Sequence, residues 1–165
     1  MSAQVIITSK LYLLQSRAFQ EQLDIVANSV SNLATSASPR ATVLTDLVAM
    51  VNDLRAMDTS VWAFVNPAAA QTFPTYAEAD KISRGPYASN SNSAQAALMI
   101  TNYLLPIVQN IQTVMTAMTD TPDIISYELG TQFQVYPIQG AWTTAYNDFI
   151  AKIAVVITDL PLLTT

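Results

Sequence analysis

The chain of 165 residues contains neither cysteine nor histidine. The first absence removes disulfides and thiolate chemistry, and the two together remove most zinc sites and the commonest general base. Glycine is nearly as scarce, at three residues, so no glycine-rich phosphate loop can be built. Charge is scarce as well: charged residues make up 12%, against roughly 25% in an ordinary soluble domain. With 51% apolar residues, much of the surface must therefore be uncharged. It is either Ser, Thr, Asn and Gln or is covered by other copies of the chain. Long hydrophobic runs are missing too; the longest are too short and too interrupted by polar residues to span a bilayer. The N-terminal residues lack the succession of a signal peptide, and the expectation is a soluble, cytosolic protein without a membrane partner.

Seven basic residues stand against twelve acidic ones, a net charge of -5 and a pI near 4.3. That balance opposes strong non-specific binding to nucleic acid or anionic lipid, while leaving room for a local site. A length of 165 residues is enough for one domain with a sizeable core, and the chain is taken as a single domain, 1–165.

What is present is helical periodicity, with apolar residues recurring at three and four positions. Phe19, Leu23, Val26, Val30 and Leu33 line one stripe, with Ser16 as the expected N-cap and Ser36 to Pro39 as the terminator. Leu44, Leu47, Val51 and Leu54 line a second, joined to the first by a short polar turn, which predicts an antiparallel pair. Between Asp58 and Ser93 the pattern breaks into a stretch rich in proline, serine and asparagine, read as a long excursion. A third helix is expected from about Ser93 to Met118, with Ala97, Ile100, Leu104, Val108, Ile111 and Met115 inward. Pro106 should kink it or mark a late start. Phe133 and Val135 suggest a short extended piece. A fourth helix runs from about Ala141 to Asp159, with Tyr146, Phe149, Ile150, Ile153, Val156, Ile157 and Leu160 apolar, and Pro161 stopping it. The segment "QVIITSKLYLL" before the first stripe reads equally as an extended strap or as more helix. The fold class is all-α, an antiparallel four-helix bundle with long loops.

Chemical motifs are few. Glu78 with Asp80 and Asp120 with Asp123 are the paired carboxylates that acid–base chemistry could use. The turn "TDTPDIISYE", Thr119 to Glu128, has a simpler explanation: Asp120 or Thr121 caps a new helical turn with Pro122 at its first position and Asp123 near its positive end. Serine and threonine abound, yet without histidine none has an evident activating base. An enzyme is not expected, and neither a cofactor nor a metal is called for.

Two resemblances bear on function. "LDIVANSVSNLATS", Leu23 to Ser36, resembles the N-terminal helical segment of flagellar rod and hook proteins. A broader one covers nearly the whole chain. "IITSKLYLLQSRAF" (Ile6 to Phe19), "SPRATVL" (Ser38 to Leu44), "TFP" (Thr72 to Pro74), "TNYLLPIVQNIQTVMTAMTDTPDIISYE" (Thr101 to Glu128) and "TTAYNDFIAKIAVVITDL" (Thr143 to Leu160) together resemble, in order and spacing, the coat proteins of rod-shaped plant viruses of the tobacco mosaic type. The resemblance implies a four-helix subunit stacked in a helical tube around single-stranded RNA, located in the virion and the host cytoplasm.

By that resemblance Arg40 and Lys152 are the basic residues at matched positions and the candidates for nucleic-acid contact; Lys152 could instead pair with Asp120 inside the bundle. Asp120, Asp123 and Glu128 become the carboxylates whose repulsion tunes assembly. The arginines that the family places after the third helix and at the start of the fourth are missing. RNA would then be held weakly, through amide and hydroxyl donors and helix ends. The function expected is a self-assembling structural subunit, a homo-oligomer in the form of a helical polymer and a capsid protein enclosing RNA. The alternatives are a flagellar axial component and a helical protein-interaction module.

Overall fold

The structure is a computed structural model that describes residues 3–33, 37–65, 93–120 and 137–164. These residues form four helical segments and, among themselves, no strand. Helix α1 spans Ala3–Ser31 and α2 spans Ala37–Val65. Helix α3 is continuous over 93–120: an α-helical start at Ser93–Met99, a π-helical turn at Ile100–Leu104 and an α-helical remainder at Leu105–Asp120. Helix α4 spans Pro137–Asp159 and runs on into a 3-10 turn at Leu160–Thr164. The chain is all-α, as its periodicity indicated.

The apolar stripes become one core. Phe19, Leu23, Val26 and Val30 from α1 meet Leu47, Val51 and Leu54 from α2, Ile100, Leu104, Val108 and Ile111 from α3, and Phe149, Ile153 and Val156 from α4. Phe19 and Phe149 are the bulkiest fully buried side chains. Burying a side chain of this kind contributes roughly 1.5–3 kcal/mol, which is what holds helices with so few charges together. Helix α2 is central to the packing, resting on both α1 and α4, while α3 packs on α4 and more lightly on α1.

Two hydrogen bonds fix the direction of the first pair. Arg40 Nη1 donates to the Leu33 carbonyl at 3.0 Å, and Gln20 Nε2 donates to Asp58 Oδ2 at 2.7 Å. As one residue number falls the other rises, so α1 and α2 run antiparallel. On the other side, the Tyr146 hydroxyl donates to the Met115 carbonyl at 2.8 Å, tying α4 to α3. The Tyr146 ring stacks on Trp142 with centroids 4.9 Å apart.

Several boundaries differ from the sequence reading. Helix α1 begins at Ala3, so "QVIITSKLYLL" is helix, and Ser16 is a buried interior residue and not a cap. The first helix ends at Ser31, where Asn32 N donates back to the Ser29 carbonyl at 3.0 Å and tightens the last turn. Pro39 does not terminate α1; it lies in the first turn of α2, where a missing N–H is harmless. Helix α2 continues past Asp58 to Val65 because Val61 is buried and Trp62 packs against the core. The excursion after it, the extended piece around Phe133 and the turn after Asp120 lie outside the described residues. Helix α4 starts at Pro137, the helix position that proline suits best.

Pro106 does not delay α3, which starts thirteen residues earlier, at Ser93. Its effect is the π turn. Ala96, Ile100, Leu104 and Val108 are all buried and four apart, and in a regular α-helix each such step overshoots a full turn by about 40°. The wider π turn takes up the overshoot and keeps the four on one side. Its closing bond runs from the Leu105 N–H to the Ile100 carbonyl. Pro106 carries no N–H, so the carbonyl of Thr101 loses both its ordinary donor, Leu105, and its π-type donor.

Candidate functional site: an uncharged exterior around a polar seam

Burial sorts the polar residues into two unlike sets. Among the side chains whose burial is described, Asp148 is the only charged one that stands exposed. The other charged side chains whose burial is described are half-buried, and Asp58 is fully buried. The outward faces are composed instead of Ala, Thr, Asn and Gln, with Leu14, Val48, Leu98, Tyr103, Val155 and Leu162 as large apolar residues open to solvent. Helix α3 carries this furthest. No charged residue occurs between Arg84 and Asp120, and its exposed positions include Leu98, Thr101, Asn102, Tyr103, Pro106, Gln109 and Asn110. A soluble surface ordinarily takes roughly a quarter to a third of its residues from Lys, Arg, Glu and Asp. A helix exterior without them is suited to contact with another uncharged surface.

Two acidic groups lie on the seams of α2. Asp58 is 0% exposed. Gln20 Nε2 donates to its Oδ2 and also reaches Ser16 Oγ at 3.3 Å, while Oδ1 is buried without a hydrogen-bond partner. Burial pushes the Asp58 carboxyl up to about 7; Ser16, Gln20 and the charges of Arg17 and Arg55 pull the other way. Asp53, on the face of α2 turned to α4, is also raised to about 7, first by burial and then by a hydrogen bond and repulsion from Asp148. Asp148 is correspondingly lowered by that hydrogen bond and by Lys152. Asp53 Oδ2 is itself buried without a hydrogen-bond partner.

The sites expected from sequence are dispersed. Arg40 is half-buried and bonds the Leu33 carbonyl at the end of α1, a C-terminal capping contact. Lys152 pairs with Asp148 at 3.2 Å, one turn away on its own helix, and also feels Asp46 and Asp53. Three carboxyl groups around one ammonium make the local field unfavourable for a phosphate. Asp120 is the last residue of α3, at the helix C-terminus. Asp123 and Glu128 lie outside the described residues. Arg40 and Lys152 are on different helices with separate tasks, and no common phosphate site forms from them.

Of the seam residues, Ser16 was expected as a cap, and Gln20, Asp53 and Asp58 were not singled out as buried polar groups, although a signal existed. Asp58 continues the stripe Leu47, Val51, Leu54 at the next inward position, and Ser16 and Gln20 flank Phe19. A polar residue in phase with an apolar stripe is a buried polar residue. Among the described residues no three acidic side chains gather as a metal site, and no helix is long and apolar enough to cross a membrane. Comparison with known protein families, with curated proteins and with solved structures finds no match.

Proposed function

We propose that this chain is a structural subunit that self-assembles into a helical rod or tube, a coat-type protein enclosing RNA. The observation that supports it is the charge-poor exterior: exposed helix faces that carry Thr, Asn, Gln and isolated large apolar residues, with Asp148 as the one exposed charge among the side chains whose burial is described. Such faces gain by meeting faces of the same kind, because no charge has to be stripped of water when they join. The all-α architecture is compatible with this reading, and the order of motifs resembles that of rod-shaped virus coat proteins. RNA, in this scheme, is held by hydroxyl, amide and backbone donors, since Arg40 and Lys152 are engaged within the subunit.

Catalysis is a poorer account of the same molecule. Asp58 titrates near neutrality, where a general base would be useful, but it is 0% exposed and no substrate can reach it. Sedimentation velocity of the purified chain over a concentration series, followed by negative-stain microscopy, tests the proposal. Rods, discs or filaments are expected at or below neutral pH, with absorbance at 260 nm reporting enclosed nucleic acid. A protein that stays monomeric at high concentration across that range overturns it.

A further inference from the structure

Helix α1 is held to the rest of the core chiefly from one side. It rests on α2 and only lightly on α3, whereas α2 and α3 are both held by α4. The open packing on the α3 side is visible as a groove of about 430 Å³, lined by Gln22, Ile25, Pro106, Ile107 and Asn110. Closure of α1 therefore depends on its seam with α2. Most of that seam is apolar, with Phe19, Leu23, Val26 and Val30 buried from α1 and Leu47, Val51 and Leu54 from α2. Asp58 interrupts it. The carboxyl is fully buried, and its hydrogen-bonding neighbours Ser16 and Gln20, themselves buried, both belong to α1. Oδ1 has no hydrogen-bond partner at all.

We infer that the proton on Asp58 latches α1 onto α2: when it leaves, α1 opens as a unit while α2, α3 and α4 stay packed on one another. The inference concerns a single subunit and does not depend on the assembly proposed above. A carboxylate sealed from water with one oxygen unbonded is costly, and the cost is removed by readmitting solvent. Removing α1 readmits it from the side where Ser16 and Gln20 now lie, and leaves the contacts of α4 with α2 and α3 in place. No other single helix can leave so cheaply, because α4 joins the remaining two. The apolar stripe of α1 keeps the closed form dominant, so opening is a minor excursion whose frequency the proton sets.

The charges around Asp58 do not cancel this effect. Arg17 on α1 and Arg55 on α2 favour its ionised form, as do the hydrogen bonds of Ser16 and Gln20, yet burial outweighs them and pushes the carboxyl up to about 7. Helix α3 has no charged residue before Asp120, its last. On α4, Asp148 and Lys152 act on Asp53 instead, and Asp159 closes the helix. The closed form thus holds a proton that the open form releases, and closure weakens as pH rises towards and through about 7.

Amide hydrogen exchange reads this helix by helix, with each rate corrected for the pH dependence of intrinsic exchange. The full chain is measured from pH 5 to pH 8, at a concentration where sedimentation shows single subunits. Amides of α1 from Phe19 to Val30 should open as one group, at a lower opening free energy and with a weaker urea dependence than those of α4 from Phe149 to Val156. Their opening constant should rise about a hundredfold over that range. Asp58→Asn should abolish the rise, and Asp53→Asn, on the other seam, should keep it. One opening free energy and one urea dependence shared by α1 and α4 would mean that α1 leaves only when the whole core unfolds, which overturns the latch. An α1 that opens alone with a constant independent of pH also overturns it, and the parent chain suffices for both outcomes should the Asp58 variant not fold.

Discussion

The two seams of α2 treat an acidic residue in opposite ways. On the α1 side, Asp58 is sealed from solvent with one amide donor at 2.7 Å, one oxygen without a partner, and two arginines whose charges reach it. On the α4 side, Asp53 is half-buried and meets Asp148, which stands 47% exposed and is paired with Lys152. Both carboxyls rise to about 7, yet for different reasons. Asp58 is raised by burial alone, against every neighbour it has. Asp53 is raised by burial together with a second carboxylate, and the same contact lowers Asp148. Similar titration points therefore carry different energetic weight. In the solvated pair one carboxyl is raised and the other lowered, and water screens both, while the buried group is shifted with no such screening.

The sharpest way to break this comparison is pH. The folded-state value of Asp58 stands above the ordinary 3.8, so the folded chain holds a proton that the unfolded chain has released. That contribution to stability is fully present below the unfolded value and is lost as pH rises through about 7. Urea denaturation between about pH 5 and pH 8 should show a loss on the order of 3 kcal/mol. Asp58→Asn, which keeps the shape and cannot ionise, should flatten most of that slope. A variant as steep as the parent would place the titration elsewhere.

Gln20→Leu comes next. It removes the only direct amide donor to Asp58 Oδ2 while preserving volume, and should cost about 2 kcal/mol at neutral pH. The loss should shrink at low pH, where the acid is neutral and needs the donor less. Asp53→Asn is a smaller change. The raised partner loses stability as pH rises through about 7, whereas the lowered partner, Asp148, contributes above 3.8 and loses it as pH falls. The two act in separate pH windows, and because the pair is largely solvated the change on removing Asp53 should stay under about 1 kcal/mol. Carboxyl carbon chemical shifts followed through the titration would show whether Asp53 and Asp148 move together while Asp58 moves alone. Smallest of all is Lys152→Ala. Its partner is one turn away on an exposed helix face, and the urea midpoint should hardly move at moderate salt.

Much of the fold was legible because burial follows helical phase. Phe19, Leu23, Val26, Val30 and Leu33, named from spacing alone, are all buried, as are Ile100, Leu104, Val108, Ile111 and Met115. Ala97 was off by one position: Ala96 is the buried residue, and the π turn that shifts the phase leaves no mark in spacing beyond a run of fours. Ser16 misled because a serine before an apolar stripe is both a good cap and a good partner for a buried acid one helix away. Only the second helix decides between the two. Arg40 and Lys152 carried a resemblance to nucleic-acid contacts, but a guanidinium within reach of a helix end bonds its carbonyls, and a lysine four residues after an aspartate pairs with it.

The sequence by itself determined the class of the molecule and the poverty of its chemistry. Four amphipathic stripes make helices that must bury one face, and the lack of cysteine, histidine, glycine loops and charge removes most catalytic and phosphate-binding designs. Tertiary structure decided where the few charges go. Apart from Asp58, whose phase marks it as inward, each was available to solvent as far as the one-dimensional pattern could tell. Packing α2 between α1 and α4 brought Asp58 beside Arg17 and Arg55 on one side and Asp53 beside Asp148 and Lys152 on the other, and left the most exposed positions mainly to hydroxyls, amides and isolated apolar side chains. That distribution depends on which helix lies beside which, a relation among residues far apart in the chain, and local spacing does not encode it.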